Sequence, residues 1–145
     1  MELHGADQRL WTYFNASYIN SLVKAQQMIG PAFIATAAPK FNGSITEILD
    51  CGKTASACPS VSNFWQMVWE NKVNMIVMLC ELETESKEEC IPYWDQLYQN
   101  SRHAVVVDRL ESEKTPVPGI IHRVIHLKKM ATSLSGSGSM IVDHY

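Results

Sequence analysis

The chain has 145 residues, of which 46% are hydrophobic and 19% charged, and its formal net charge is −3 at pH 7. This length and balance are typical of one globular domain and exclude a disordered or fibrous chain. The mild charge, the lack of an apolar run of about 20 residues and an N-terminus without a secretory pattern predict a cytoplasmic chain that does not contact nucleic acid or membrane.

The first part of the chain predicts two paired strands and a loop. Thr12–Asn20 is rich in aromatic and β-branched residues, which favour strands. Ala32–Ala38 has the same character and follows the turn signal Gly30-Pro31. We expect these two segments to pair antiparallel. The polar, glycine-containing stretch Lys40–Pro59 predicts a long surface loop.

A helix and a buried strand are predicted next. Val61–Asn71 predicts the helix because its apolar residues recur on one face, namely Val61, Phe64, Trp65, Val68 and Trp69. Pro59 and Ser60 suit the start of this helix, with Ser60 as a cap. The nearly uninterrupted apolar run Val73–Cys80 predicts a strand that is buried on both faces of a mixed or parallel sheet.

The remaining part predicts further strands around polar loops. Glu81–Glu89 contains five glutamates and must be solvated. The predicted strands are Ala104–Val107, Gly119–Leu127 and a last one beginning within Met140–Tyr145. A turn at Pro116–Gly119 separates the first two, and Ser133–Ser139 precedes the third as a flexible turn. The pattern predicts a single α/β unit.

Seven short motifs, in order, resemble those of the tyrosine-specific protein phosphatases. They are YFNASYI at 13–19, FIATAAP at 33–39, FWQMVWENKV at 64–73, IVML at 76–79, CIPYW at 90–94, HRVIHL at 122–127 and VDHY at 142–145. The resemblance covers almost the whole chain. It implies an α/β fold with a twisted mixed sheet and flanking helices, in an enzyme that hydrolyses phosphotyrosine through a cysteinyl-phosphate intermediate.

The sequence departs from the family pattern at several places. The family's QGP is Ala37-Ala38-Pro39 here, and Glu89 replaces a lysine that lies near the active-site mouth in the family. Lys40–Pro59 has no counterpart in the pattern, so we expect a surface insertion at 40–59. The family's phosphotyrosine-recognition segment KNRY would precede Tyr13, and no match is found there.

The catalytic parts implied by the resemblance are a cysteine loop of pattern HCxxGxxR, its phosphate-binding arginine and the aspartic acid of a Trp-Pro-Asp loop. None of these motifs occurs in residues 1–145. We therefore expect an incomplete tyrosine phosphatase domain, inactive alone, with no catalytic residue, no cofactor and no metal. The alternative is a stand-alone, non-catalytic binding or regulatory module, a pseudophosphatase.

The cysteines and histidines of the chain are predicted to have structural roles. Cys80 is predicted to end a buried strand and serve packing, whereas Cys90 matches a structural cysteine of the family whose pKa the acidic Glu88 and Glu89 would raise. His122 and His126 alternate with apolar residues on a strand face that is half-exposed, which favours pairing over metal binding. All four cysteines are predicted to be reduced.

Two further segments have features related to phosphate binding. Gly52-Lys53-Thr54 lacks the first glycine of a phosphate loop, so it does not predict a nucleotide site. Glu83 or Glu85 is the candidate for the acidic residue that positions the phosphate-binding arginine in the family. The partners implied are phosphotyrosine proteins for the complete domain, and self-association through the exposed sheet surface around Val73–Cys80 for this chain.

Overall fold

The computed structural model describes residues 2–3, 12–13, 15–19, 33–40, 59–82, 90–95, 104–131 and 136–145. The elements in chain order are the strands β1 (Glu2–Leu3), β2 (Thr12–Tyr13), β3 (Ala16–Ile19) and β4 (Phe33–Thr36), the helix α1 (Pro59–Glu70), and the strands β5 (Met75–Ile76), β6 (Val105–Val117), β7 (Ile120–Lys129) and β8 (Gly138–His144). The fold is α/β, which confirms the predicted class.

A four-stranded mixed sheet forms the centre of the fold, in the order β5-β8-β7-β6. β5 runs parallel to β8, whereas β8, β7 and β6 pair antiparallel. The central pair places Arg123 opposite His144 and Ile125 opposite Val142. Among the described strands, β5 and β6 are the two at the edges of this sheet, and their edges differ in chemistry.

The hairpin of β6 and β7 extends much further than predicted. β6 has 13 residues and begins at Val105, whereas only Ala104–Val107 was predicted to be a strand. Charged residues from Asp108 onward hid the strand because they break the apolar alternation. The strand β6 is stabilised by its pairing with β7, and the register of this pairing is irregular along β6. Gly119 closes the turn at φ 86°, a conformation that glycine adopts without strain.

The predicted strand Thr12–Asn20 is wrong as one element. Thr12–Tyr13 pairs with β1, whereas Ala16–Ile19 pairs antiparallel with β4 in a second two-stranded sheet. Asn15 lies between them, and its carbonyl accepts hydrogen bonds from the Ala37 amide at 3.1 Å and the Thr36 hydroxyl at 3.2 Å. The antiparallel pairing of the two N-terminal segments is confirmed for β3 and β4.

Helix α1 is confirmed, with bounds shifted toward the N-terminus. Proline in the first helical position loses no hydrogen bond, so Pro59 begins the helix. Ser60 therefore lies inside the helix and is not its preceding cap, and its hydroxyl donates to the Lys40 carbonyl at 2.6 Å. Within the described residues, no helix is long and apolar enough to cross a membrane.

The stretch Val73–Cys80 is not buried on both faces, contrary to the prediction. Only Met75–Ile76 is a strand, and it lies at an edge of the sheet. Alternate side chains point to solvent, with exposed fractions of 54% at Met75, 60% at Val77 and 93% at Leu79. The other face, with Ile76, Met78 and Cys80, packs against the core. The apolar sequence of this segment does not show that other residues pack against only one of its two faces.

The hydrophobic core lies between α1, the segment 90–95 and the central sheet. Its fully buried side chains come from all three parts: Val61, Trp65 and Val68 from α1, Cys90 and Ile91 from the segment, and Ile125, Leu127 and Val142 from the sheet. Phe64 is also buried, and Trp69 and Trp94 pack against this cluster partly buried, as predicted.

Some predicted features fall on residues outside the described ranges. These are residues 41–58 of the proposed insertion, residues 83–89 of the acidic stretch, and residues 133–135 of the proposed flexible turn. The described part corrects the end of that turn, because Gly138 and Ser139 already belong to β8. Gly138 lies against the Trp69 ring, where a Cβ would come within 3.2 Å of two ring carbons.

The ends of the proposed insertion lie side by side, which predicts that its length is not essential. The hydrogen bond of Ser60 to the Lys40 carbonyl fixes this closure. Replacing residues 41–58 by a four-residue Gly/Ser linker should leave the circular-dichroism spectrum unchanged and alter the free energy of unfolding by only about 1 kcal/mol, since loop closure depends weakly on length. Loss of helical signal in the shortened chain would instead show that 41–58 packs in the core.

Candidate functional site

A buried aromatic residue, Tyr93, connects the helix to the rest of the chain. The Asp95 amide donates to the Pro92 carbonyl at 2.8 Å, which forms a turn that has Tyr93 and Trp94 in its middle. Tyr93 is 3% exposed, and its carbonyl accepts the indole N–H of Trp65 at 3.0 Å. The Tyr93 ring also packs on Phe64 with centroids 4.7 Å apart.

The phenol of Tyr93 is hydrogen-bonded to a fully buried histidine of β8. The distance from the Tyr93 hydroxyl to Nε2 of His144 is 2.7 Å. Burial is the main cause that lowers the pKa of His144 to about 4, and the electrostatic effects of Arg123 and His122 lower it further. Burial also raises the pKa of Tyr93 far above its ordinary value. Both groups are therefore neutral at pH 7, and neither can exchange a proton readily there.

Arg123 completes this cluster from the neighbouring strand β7. It lies directly opposite His144 in the register, and its guanidinium carbon lies 4.4 Å from the centre of the Trp94 ring. Trp94 also packs on His144, with centroids 4.9 Å apart. Nε of Arg123 is 3.4 Å from a carboxylate oxygen of Glu113, close enough for an ion pair but without hydrogen-bond geometry. Nδ1 of His144 is buried without a hydrogen-bond partner.

The two histidines highlighted by the sequence lie on the opposite face of the sheet, half-exposed as predicted, and each pairs with a carboxylate. Nε2 of His122 is 2.8 Å from Asp143, and its ring stacks on Tyr145. Nε2 of His126 is 2.9 Å from Glu111. The hydrogen bond with His126 is the first cause that lowers the pKa of Glu111, and Arg109 is the second. The described part of the chain contains no group of three potential metal ligands.

The two cysteines that the structure describes are free thiols in packing positions. Cys90 is 1% exposed, and its thiol donates to the Ile91 carbonyl at 3.3 Å. Cys80 is half-buried and packs against the core, but it does not end a strand as predicted, because β5 ends at Ile76. Buried thiols away from a helix N-terminus lack the environment of a reactive thiolate. Cys51, Cys58, Gly52–Thr54 and the glutamates 83, 85, 88 and 89 lie outside the described residues.

No role for His144 or Arg123 follows from the sequence, although both residues lie in the motifs HRVIHL and VDHY. The available signal was the alternation of HRVIHL and VDHY, which places Arg123 and His144 on core-facing positions of two strands. Their contacts join residues distant in the sequence, since Arg123 is 29 positions from Trp94 and His144 is 51 positions from Tyr93. The periodicity within one segment does not predict which distant residues that segment contacts.

Comparison with known proteins agrees with this arrangement. A family model described as protein-tyrosine phosphatase matches residues 2–143. This chain belongs to the protein-tyrosine phosphatase family. It is similar to human tyrosine-protein phosphatase non-receptor type 7, with 35% identity over 82 residues, which is 57% of this chain and 17% of that protein. Rat receptor-type tyrosine-protein phosphatase N2 is 30% identical over 123 residues, which is 84% of this chain and 10% of that protein.

The fold agrees with solved phosphatase structures. The catalytic domain of human protein tyrosine phosphatase non-receptor type 18 superposes with a TM-score of 0.53 at 23% identity, covering 94% of this chain and 40% of that one. A likeness at this identity shows the shared fold. The chain thus spans less than a fifth of the curated relatives cited and two fifths of this solved phosphatase chain.

The buried His144 predicts a loss of stability on acidification. The unfolded chain takes up a proton near pH 6.5, whereas the folded chain does so only near pH 4. This contribution is therefore complete above pH 6.5 and falls as the pH decreases toward 4, by up to about 3 kcal/mol. His144→Gln, which can still accept from Tyr93, should flatten the dependence measured by urea unfolding between pH 6.5 and 4.5. The matched variant His126→Gln should keep it, and equal slopes in both variants would contradict this role.

The Tyr93 hydroxyl predicts a second measurable contribution. Tyr93→Phe leaves His144 with both ring nitrogens unpaired in the core, which should lower the free energy of unfolding by about 1–3 kcal/mol. Tyr145→Phe is the control, because this ring is 36% exposed, and it should change stability by less than about 0.5 kcal/mol. Urea unfolding at pH 7 measures both values. If Tyr93→Phe leaves the free energy of unfolding unchanged, the hydrogen bond between Tyr93 and His144 contributes nothing to stability.

Proposed function

We propose that this chain is a portion of a protein-tyrosine phosphatase domain that supplies scaffold and has no phosphatase activity alone. The observation that carries the proposal is the state of the cysteines. The described thiols, Cys80 and Cys90, serve packing, and no HCxxGxxR loop occurs in the 145 residues. Hydrolysis through a cysteinyl-phosphate needs a thiolate whose pKa is lowered, together with donors for the phosphoryl oxygens.

The domain assignment extends this proposal to residues 1–145 with an insertion at 40–59. It is supported by the family match over 2–143 and by the closed ends of the insertion at Lys40 and Ser60. For the complete protein we propose a cytoplasmic phosphatase domain that acts in signalling on phosphotyrosine proteins. The support is chemical analogy, since a solved structure shows the non-receptor type 18 enzyme in complex with HER2 phosphopeptides.

A non-catalytic phosphatase-like module, a pseudophosphatase, is the second candidate. The observation that favours it is a continuous core among the described residues, in which helix α1, the segment 90–95 and the central sheet bury each other. A regulatory module needs such a core and no catalytic loop. A cooperative unfolding transition of a monodisperse monomer would favour this candidate over the scaffold portion.

Self-association belongs to the first candidate. The apolar side chains of Met75, Val77 and Leu79 are more than half exposed on adjacent positions of one edge, in a part of the chain without charged residues. Exposed apolar surface of this kind is removed from water by association. We propose that the isolated chain associates through this surface.

The absence of activity can be tested with an aryl phosphate and a phosphotyrosine peptide. The purified chain should give no turnover above the buffer, whereas the catalytic domain of the non-receptor type 18 enzyme gives a clear signal in the same assay. An enzyme normally lowers the activation free energy of its reaction by about 8 kcal/mol or more. Enzymatic turnover is therefore far faster than the uncatalysed hydrolysis in buffer and can be detected even when it is weak.

Variants distinguish a contaminating enzyme from a genuine activity. If turnover is seen, Cys80→Ser and Cys90→Ser are compared at equal folded concentration. Turnover lost in one of them would contradict the packing role assigned to that thiol and with it the proposed inactivity. Turnover kept in both, and in a variant without cysteines, would indicate a different chemistry or a contaminant.

A further inference from the structure

Among the described residues, the outer edge of β5 presents backbone groups next to exposed, uncharged apolar side chains. On its inner side, β5 is paired with β8. The Asn74 carbonyl accepts from the Asp143 amide at 3.0 Å, the Ile76 carbonyl accepts from the Tyr145 amide at 3.0 Å, and the Met78 amide donates to the Tyr145 carbonyl at 2.7 Å. These bonds use every second residue of the run.

The alternate residues therefore direct their backbone groups away from β8. In an extended chain successive N–H and C=O groups point to opposite edges, so those of Met75, Val77 and Leu79 lie on the outer edge. The side chains of the same three residues are exposed. Ile141, on the same face of β8, is 56% exposed and broadens this apolar surface.

The opposite edge of the sheet has different chemistry. The edge strand β6 includes five exposed charged residues, which are Asp108, Arg109, Glu111, Glu113 and Lys114. It also has register irregularities against β7 between Val107 and Arg109 and between Glu111 and Glu113. Charges and bulges are the devices that discourage the pairing of an edge with another strand. Val73–Cys80 has no charge, no proline and no glycine.

We propose that two copies of this chain pair antiparallel along β5, with a two-fold axis at Val77. This rests on the self-association proposed above and names its edge and register. A two-fold axis at Val77 brings Met75 opposite Leu79 of the other copy, so the residues with outward backbone groups meet one another. The same register places apolar side chains against apolar side chains, and no like charges face each other. The edge is thus complementary to itself, and the two sheets become one.

The register can be tested by a charge exchange, measured by sedimentation equilibrium over protein concentration. Met75→Lys alone and Leu79→Glu alone should each raise the dimer dissociation constant on the order of tenfold, since each buries an unpaired charge at the edge. The double variant Met75→Lys/Leu79→Glu should recover dimerisation, because the two opposite charges meet across the axis. Met75→Lys/Leu79→Lys should not recover it.

Two controls keep the test specific. Leu110→Lys adds the same charge to the opposite edge, at a residue that is 42% exposed, and should leave the dimer unchanged. The circular-dichroism spectra of all variants should match, because the altered side chains are at solvent. Amide hydrogen exchange at Val77 and Leu79 should be slower at high protein concentration than at low concentration.

The outcomes separate the levels of the proposal. A chain that stays monomeric overturns the self-association itself, and protected Val77 and Leu79 amides in that monomer would mean that the chain's own residues cover the edge. Association that is insensitive to Met75→Lys overturns the β5 edge. Weakening by both single variants without recovery in the double variant overturns the antiparallel register. None of these results depends on the phosphatase assay.

Discussion

The hydrogen bonds of Tyr93 hold the helix and the sheet of this chain in one core. Its carbonyl accepts the Trp65 indole of α1, and its hydroxyl meets His144 of β8. A buried polar group is costly unless it is paired, so these two bonds fix the depth and orientation of the segment 90–95 between the layers. The rings of Phe64 and Trp94 pack against Tyr93, with centroids 4.7 Å and 5.0 Å from the centroid of its ring.

The neutrality of this cluster also explains why it is structural. His144 has a pKa of about 4, and burial raises that of Tyr93, so no proton is transferred near pH 7. General acid–base catalysis requires a pKa close to the working pH. The described part of the chain shares the phosphatase fold with a solved member of the family at 23% identity.

Charge decides how the two edges of the central sheet meet their surroundings. β6 has 13 residues and is paired with β7, and its charged side chains are exposed, with Glu113 forming an ion pair with Arg123 across the hairpin. The run from Val73 to Cys80 has the opposite composition, and its outer side chains have no cover among the described residues. The same sheet therefore has one edge that resists pairing and one that is suited to it.

The sequence alone determined the family, the α/β class and the helix around Trp65, because local periodicity and short motifs carry that information. Only the tertiary structure showed that Thr12–Asn20 is divided between two sheets, that β6 continues to Val117, and that the apolar run around Val77 has one open face. It also showed that His144 is hydrogen-bonded to Tyr93. These features depend on which strand lies beside which, and partners distant in the chain leave no periodic trace in either segment.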